Sequence, residues 1–363
     1  ARAINSRSDE FKALVGPIFK LIDNIIFSRP EFIKKVPVDQ RPERMLQELF
    51  IIGEGIDPTD YSRYEATFKQ RLMEINNWCN SYLTSALPDG GWFSEVIKDA
   101  LEGVNHCRFK DFLLEIDAVR MSGEMNTSSG NGIMNWMFVK FIAHKKRLRV
   151  KTQIEGDDGN PLFVPKPSNP GAVKPTAEDF AALGAEIKIT SNCAIEEASF
   201  CGMVFDVDDR RNVTDPRDIL ATFGFTTARY AKSSVSVRKT LLRCKALSLA
   251  YQYPGCPIVG ALARYGLRMT RSHDVRHMVE NWRNTWEREQ LLEALQHPVL
   301  DIPVGDNTRM LVEKLFHIPW SVQKDIETYF DNKNDLDVID CVSVDIIMPQ
   351  IWKDYFDQYA TFD

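Results

Sequence analysis

The chain has 363 residues, 44% hydrophobic and 26% charged, which is the composition of an ordinary soluble globular protein long enough for two or three packed subdomains. No apolar stretch reaches the roughly 20 residues of a membrane-spanning helix, because "ALVGPIF" and "MNWMFVKFIA" are interrupted early, and the opening "ARAINSRSDEFK" has no signal-peptide core. The net charge of -6 weighs against a general polyanion binder, the cysteines form no CxxC pair and so fit a reducing, cytosolic compartment, and the missing initiator Met leads us to expect a fragment.

Helix-like apolar spacing marks residues 11 to 27 and 66 to 86, and "GGWFSEVIKDALEGV" reads as a helix begun near Ser94. "GIDPTDYSRYEATF" puts Asp60 at the end of a short strand, with Glu65 five residues on. After Gly123, "TSSGNGIMNWMFVKFIAHKK" is a turn rich in small polar residues feeding a segment apolar on nearly all sides, the pattern of a helix buried in a core. Next, "RLRVKTQI" and "PLFVPK" alternate as two strands joined at Asp157 and Asp158, where the Asp-Gly step is a hairpin signal. The Pro-rich "PKPSNPGAVKP" is a loop, "TAEDFAALGA" a capped helix, "EIKIT" a strand and "ASFCGMVFDVDD" a further strand or hairpin. Beyond residue 216 the pattern is helical. The fold class is therefore α+β, a mixed part followed by an all-α part with a boundary near 210 to 216. Lys and Arg outnumber acids from Arg217 to Arg288, a candidate nucleic-acid face, whereas "FDNKNDLDVIDCVSVD" is acidic.

The two adjacent aspartates of "EGDDG" are as readily a polar turn as a metal site, and what surrounds them decides. Asp60 on one strand end, with Asp157 and Asp158 on a neighbouring hairpin tip, offers hard oxygen ligands for two Mg²⁺ or Mn²⁺ ions roughly 3.5 to 4 Å apart, the geometry of two-metal phosphoryl transfer. Between them, "RMSGEMNTSSGNG" combines glycines that let a nucleic-acid backbone approach with Asn131, which can hydrogen-bond a sugar hydroxyl.

In this order the segments resemble the RNA-dependent RNA polymerases of positive-strand RNA viruses, most of all the tombusvirus-like and nodavirus-like group. "ARAINSR" resembles the end of the fingers motif F, "DYSRYE" motif A, "SGEMNTSSGN" motif B, "EGDD" motif C, "LGAEIKI" motif D and "SFCGMVF" motif E, together covering about residues 1 to 260. The resemblance implies a right-hand polymerase with an antiparallel palm sheet. Its parts would be partial fingers (1–51), palm with motif A (52–70), a fingers insertion (71–118), palm with motifs B to E (119–210), and a helical thumb with C-terminal extension (211–363).

The same resemblance implies RNA synthesis on an RNA template. Asp60 and Asp157 would be the principal metal ligands, Asp158 an accessory one, and Lys188 a general acid toward the departing pyrophosphate. Arg2 and Arg7 would hold the triphosphate by bidentate hydrogen bonds, while Ser122, Thr127 and Asn131 would meet the template and the incoming ribose. Gly123, Cys201 and Gly202 would lie against template and primer. Glu65 departs from the family, which usually has an aspartate there, working with the Asn to sense the ribose 2′-hydroxyl. The implied partners are template and nascent RNA, nucleoside triphosphates and other viral replication proteins, in membrane-associated complexes of the host cytoplasm whose anchor lies outside this sequence.

Two rival classes remain: a reverse-transcriptase-like polymerase, which usually has a different residue before its hairpin aspartates, and a catalytically inactive RNA-binding fragment. "HDVRH" sets His273 and His277 four apart on one helical face, a near miss of a zinc-protease pattern that reads instead as a basic helix face. "FDVDDRRNVTD" mimics a calcium loop but has Arg where Gly is required, and Cys201 reads as a small core residue rather than a nucleophile.

Overall fold

The computed structural model describes residues 4–282, 285–297 and 301–359; Arg2, expected at the triphosphate, lies outside the described residues. The chain divides into two compact units, Ala1–Pro37 with Arg44–Cys201, and Val38–Glu43 with Gly202–Asp363. The break after Cys201 comes earlier than the 210 to 216 expected from the change in pattern.

The first unit starts with α1 (Asp9–Phe27), where Ser8 Oγ accepts the Phe11 N–H and Asp9 and Glu10 face the positive helix end. After α2 (Arg41–Leu49), whose start up to Glu43 belongs to the second unit, come β1 (Thr59–Tyr61), α3 (Tyr64–Thr67), α4 (Gln70–Thr84) and α5 (Gly90–Leu101). Helix α5 begins at Gly90, not near Ser94: the Ser94 hydroxyl donates back to the Gly90 carbonyl at 2.9 Å inside the helix. Glycine is required at that start, because a Cβ at residue 90 would lie 2.2 Å from the Thr84 carbonyl oxygen. A hairpin of β2 (Asn105–Arg108) and β3 (Leu113–Ile116) follows, which the sequence patterns did not mark.

Helix α6 (Thr127–Lys145) is wrapped by core on most sides, as its apolar run predicts. Met134, Phe138, Val139 and Ile142 are buried, and Ile133, Trp136 and Met137 pack partly buried around them. Their neighbours include Phe19 and Ile22 of α1 and Phe93 and Ile97 of α5, with Phe19 and Phe93 edge-to-face at 5.1 Å. Each such side chain contributes about 1.5–3 kcal/mol by leaving water. Strands β4 (Leu148–Glu155) and β5 (Asp158–Pro165) form the expected hairpin, followed by α7 (Ala177–Ala181), closed by a Thr176–Asp179 capping box, and β6 (Ile187–Ile189). The four strands β4-β5-β1-β6 make one antiparallel sheet.

The second unit opens with a hairpin of β7 (Val204–Asp206) and β8 (Arg211–Val213). In place of a calcium loop, Asp206 Oδ1 accepts the N–H groups of Asp208 and Asp209 across its turn. Helices α8 (Pro216–Phe223), α9 (Val235–Gln252), α10 (Val259–Met269), α11 (Arg276–Glu280), α12 (Thr285–Gln296), α13 (Asp306–Phe316), α14 (Trp320–Asn332), α15 (Val342–Ile347) and α16 (Gln350–Tyr359) follow. His273 and His277 do not share a helical face: α11 starts only at Arg276, whose N–H is capped by Asp274 Oδ1 at 3.0 Å, so His273 stays in the preceding loop. No helix among the described residues is long and apolar enough to cross a membrane.

Candidate active site

Strand register brings three expected residues, Asp60, Asp158 and Lys188, into one row that Glu155 extends. Thr59 pairs with Gly159 and Asp60 with Lys188, and continuing the first pairing sets Asp60 level with Asp158, which itself pairs with Glu155. Residues directly opposite in antiparallel strands share a face, so Lys188, Asp60, Asp158 and Glu155 line up across β6, β1, β5 and β4. Thr59 and Tyr61 point into the core, leaving Asp60 exposed on the other side. Asp157 sits beside the row in the β4–β5 turn. The turn itself is Gly156-Asp157, with Gly156 at φ +64°, as a hairpin with glycine at its first central position requires. The Asp158-Gly159 step, expected to make the turn, is already in the strand.

The row is electrostatically loaded. Burial and then the neighbouring Asp157 carboxylate push the Asp158 carboxyl above its ordinary range; Glu155 and Asp60 push the same way, and a hydrogen bond from Cys201 opposes them. Among the described residues no group of three or more His, Cys, Asp or Glu side chains is gathered closely enough to hold a metal ion. The donor chemistry nevertheless fits a hard divalent cation: every candidate ligand is a carboxylate oxygen, and their mutual repulsion is what a cation between them would relieve.

Two residues that the sequence did not single out fix the turn. Asn135, fully buried on α6, directs its Nδ2 to the carbonyls of Gly156, Asp157 and Asp158 at 3.4, 3.0 and 3.3 Å, and its Oδ1 accepts the Tyr61 hydroxyl at 3.1 Å. Tyr61 is buried beside Asp157, and burial followed by that negative charge raises its phenol far above the usual value. The available signal was a polar residue four after Asn131, one helical turn on, inside an otherwise apolar run.

Asn131 reaches the motif A segment from the same helix. Its Nδ2 donates to Glu65 Oε1 at 3.3 Å and its carbonyl accepts the Tyr64 hydroxyl at 3.2 Å. Behind this pair lies Arg120, 2% exposed, donating to Asn76 Oδ1 at 2.7 Å and to the Asn126 carbonyl at 3.3 Å, with its guanidinium 4.4 Å from the Phe68 ring centre.

The other expected residues are placed as follows. Lys188 faces Asp60 across the sheet. The Thr127 hydroxyl donates to the Glu124 and Met121 carbonyls at 2.9 and 3.4 Å, closing its own loop rather than opening outward. The Ser122 carbonyl accepts the Asn5 N–H at 2.8 Å, and a Cβ on Gly123, which sits at φ +101°, would meet Ile4 at 2.6 Å. Arg7 is paired with an acid outside the row: its Nη2 lies 2.6 Å from both Glu124 Oε1 and Asn105 Oδ1. Cys201, at φ +52°, donates from Sγ to Glu155 Oε2 at 3.7 Å. Gly202, at φ +74°, begins the second unit, where its carbonyl accepts the Thr214 hydroxyl.

With this geometry described, the chain can be compared with known proteins. The family described as viral RNA dependent RNA polymerase matches residues 98–334, more than half of the chain. No curated protein matches. Among solved structures, the RNA-dependent RNA polymerase of a human picorbirnavirus is similar with a TM-score of 0.54 at 12% identity, covering 86% of this chain and 58% of that one. An insertion-loop deletion mutant of the RNA-dependent RNA polymerase of a human picorbirnavirus gives a TM-score of 0.44 at 14% identity, over 70% of this chain and 52% of that one. The chain thus spans between half and three fifths of the solved polymerases it resembles. The first likeness shows the fold, a right-hand arrangement of helices around an antiparallel sheet.

Proposed function

The chain belongs to the viral RNA-dependent RNA polymerase family, and from that membership we propose that it synthesises RNA on an RNA template by two-metal nucleotidyl transfer. The observation that supports this reading best is the row of Asp60 and Asp158 on the open face of the sheet, with Asp157 in the adjoining turn. Asp60 and Asp157 would hold two Mg²⁺ or Mn²⁺ ions, with Asp158 close by; bound there, the ions would lower the pKa of the attacking 3′-hydroxyl and hold the triphosphate.

The chain's own groups do the rest. Asn135 and Tyr61 keep the Asp157 turn in place beneath the reacting groups. Lys188, which pairs with Asp60 across the sheet, would give a proton to the departing pyrophosphate. The Asn131–Glu65 pair meets the ribose 2′-hydroxyl, and the longer Glu still accepts the Asn131 amide. Arg7 takes up the triphosphate once it exchanges Glu124 for phosphate oxygens. In the second unit the exposed Arg229 and Lys232 are phosphate contacts for template and product.

The wording of motifs A to E supports placement near the tombusvirus-like and nodavirus-like polymerases. Action in host cytoplasm, at membrane-associated complexes with other viral replication proteins, follows from the same resemblance. Primer extension on a defined RNA template tests the activity: the chain incorporates nucleotides with Mg²⁺ or Mn²⁺, and a folded Asp157→Ala variant does not. Equal incorporation by that variant would overturn the assignment.

A further inference from the structure

In the second unit, Arg243, Arg271 and Arg276 line an open cleft of about 410 Å³ whose lining also includes Leu247, Val275, Leu295 and His273. Nearby arginines are committed elsewhere. Arg217 is paired with Asp215, Arg264 with Asp331, and Arg268 donates to the carbonyls of Phe330 and Lys333. The cavity arginines differ: among the described residues none of the three has a carboxylate partner, and Arg243 makes one hydrogen bond, to the Leu267 carbonyl. The single acid in the lining, Asp274, has its Oδ1 on the Arg276 backbone N–H.

Three permanently charged guanidinium groups lining one space repel one another, and with no carboxylate beside them most of their donors face only water. A phosphate-bearing ligand resolves both, since each fork can bind two oxygens. The rest of the lining is of another kind. Leu295, 37% exposed, lies beside Leu247 and Val275, which are themselves packed into the apolar cluster of Cys244, Val279 and Leu291, and this apolar patch suits the face of a base. The volume is in the range of small-molecule sites, which begins at about 300 Å³.

We propose that this cleft binds a nucleoside polyphosphate, with the phosphates on the three arginines and the base against Leu295 beside Leu247 and Val275, using no residue of the carboxylate row of the first unit. Because the site uses no residue of that row, binding can be measured whether or not the chain polymerises.

The test is photolabelling of the full chain by 8-azido-ATP in EDTA, which suppresses metal-dependent binding at the carboxylates, with peptide mapping and titration. We expect the adduct within the peptides of α9 to α12, protection by excess ATP, and at least about tenfold weaker labelling in the Arg271→Ala/Arg276→Ala variant, whose two altered side chains are exposed. Arg271→Lys/Arg276→Lys, which keeps charge but loses the forks, should fall between. Label confined to the first unit, unchanged labelling in the double-alanine variant, or protection by a short RNA but not by ATP would each overturn the proposal, the last by identifying a backbone-phosphate contact instead.

Discussion

Replacing Gly130 by Ala should destabilise the first unit, although the substitution favours helix everywhere else. A Cβ at residue 130 would lie 2.4, 2.8 and 2.9 Å from Nη1, Nη2 and Cζ of Arg120. An exposed arginine would swing away at little cost. This one is buried, tied to Asn76 and to the Asn126 carbonyl, and backed by the Phe68 ring. Displacing it forfeits two hydrogen bonds from a charged donor, each worth about 1.5–3 kcal/mol, while Ala returns about 1 kcal/mol of helix propensity. The expected net loss is about 2–5 kcal/mol, read as a lower denaturant midpoint with unchanged slope. The control is Arg120→Met, which removes the obstructing guanidinium: on that background Gly130→Ala should cost nothing or stabilise slightly. Equal costs on both backgrounds, or a gain in the parent chain, would refute the steric account.

Lys174→Met should cost about 3–5 kcal/mol by stranding a buried charge, because the fully buried Asp57 carboxylate accepts Lys174 Nζ at 3.0 and 3.1 Å; adding Asp57→Asn should recover part of the loss in the same unfolding assay. Burial pulls the Lys245 ammonium down to about 8 from 10.5, so its folded-state cost is complete below pH 8 and disappears by pH 10.5. Lys245→Met removes that cost but also the Lys245 hydrogen bond to the Thr222 carbonyl, so the stability difference between variant and parent should move in the parent's favour, by up to about 3 kcal/mol, as pH rises through that window; a pH-independent difference would rule out the titration. Asn131→Ala should cut the preference for ribonucleotides over deoxyribonucleotides by about tenfold or more, measured as a ratio of single-nucleotide incorporation rates; an unchanged ratio would remove Asn131 and Glu65 from ribose sensing.

What could be read from the sequence was what short-range chemistry decides. Alternation along "RLRVKTQI" and "PLFVPK" specified β4 and β5, and the mostly apolar run specified α6, since each pattern spans only neighbouring residues. The carboxylates could be named because their order along the chain is itself the signal. Asn135 and Arg120 could not, as their meaning lies in partners far along the chain: the Asp157 turn for one and Asn76 for the other. The start of α5 was misplaced because a serine can bond backward into a helix as well as cap it, and only the close approach of Thr84 shows which it does. The hairpin turn shifted by two residues for a similar reason: two glycines flank the aspartates, and pairing across the sheet selects the first.

Asn135 carries an evolutionary consequence. Its amide reaches three successive carbonyls only because Gly159 leaves it room: a Cβ there would come 3.2 Å from the Asn135 Nδ2 and 3.0 Å from Thr59 Oγ1. Positions 135, 159 and 59 therefore cannot drift independently. A lineage that enlarges residue 159 has to shift the amide or the Thr59 hydroxyl by a few tenths of an ångström, or replace one of them. Among divergent relatives these three positions should change together or stay fixed together, while the exposed carboxylate face answers to a separate constraint.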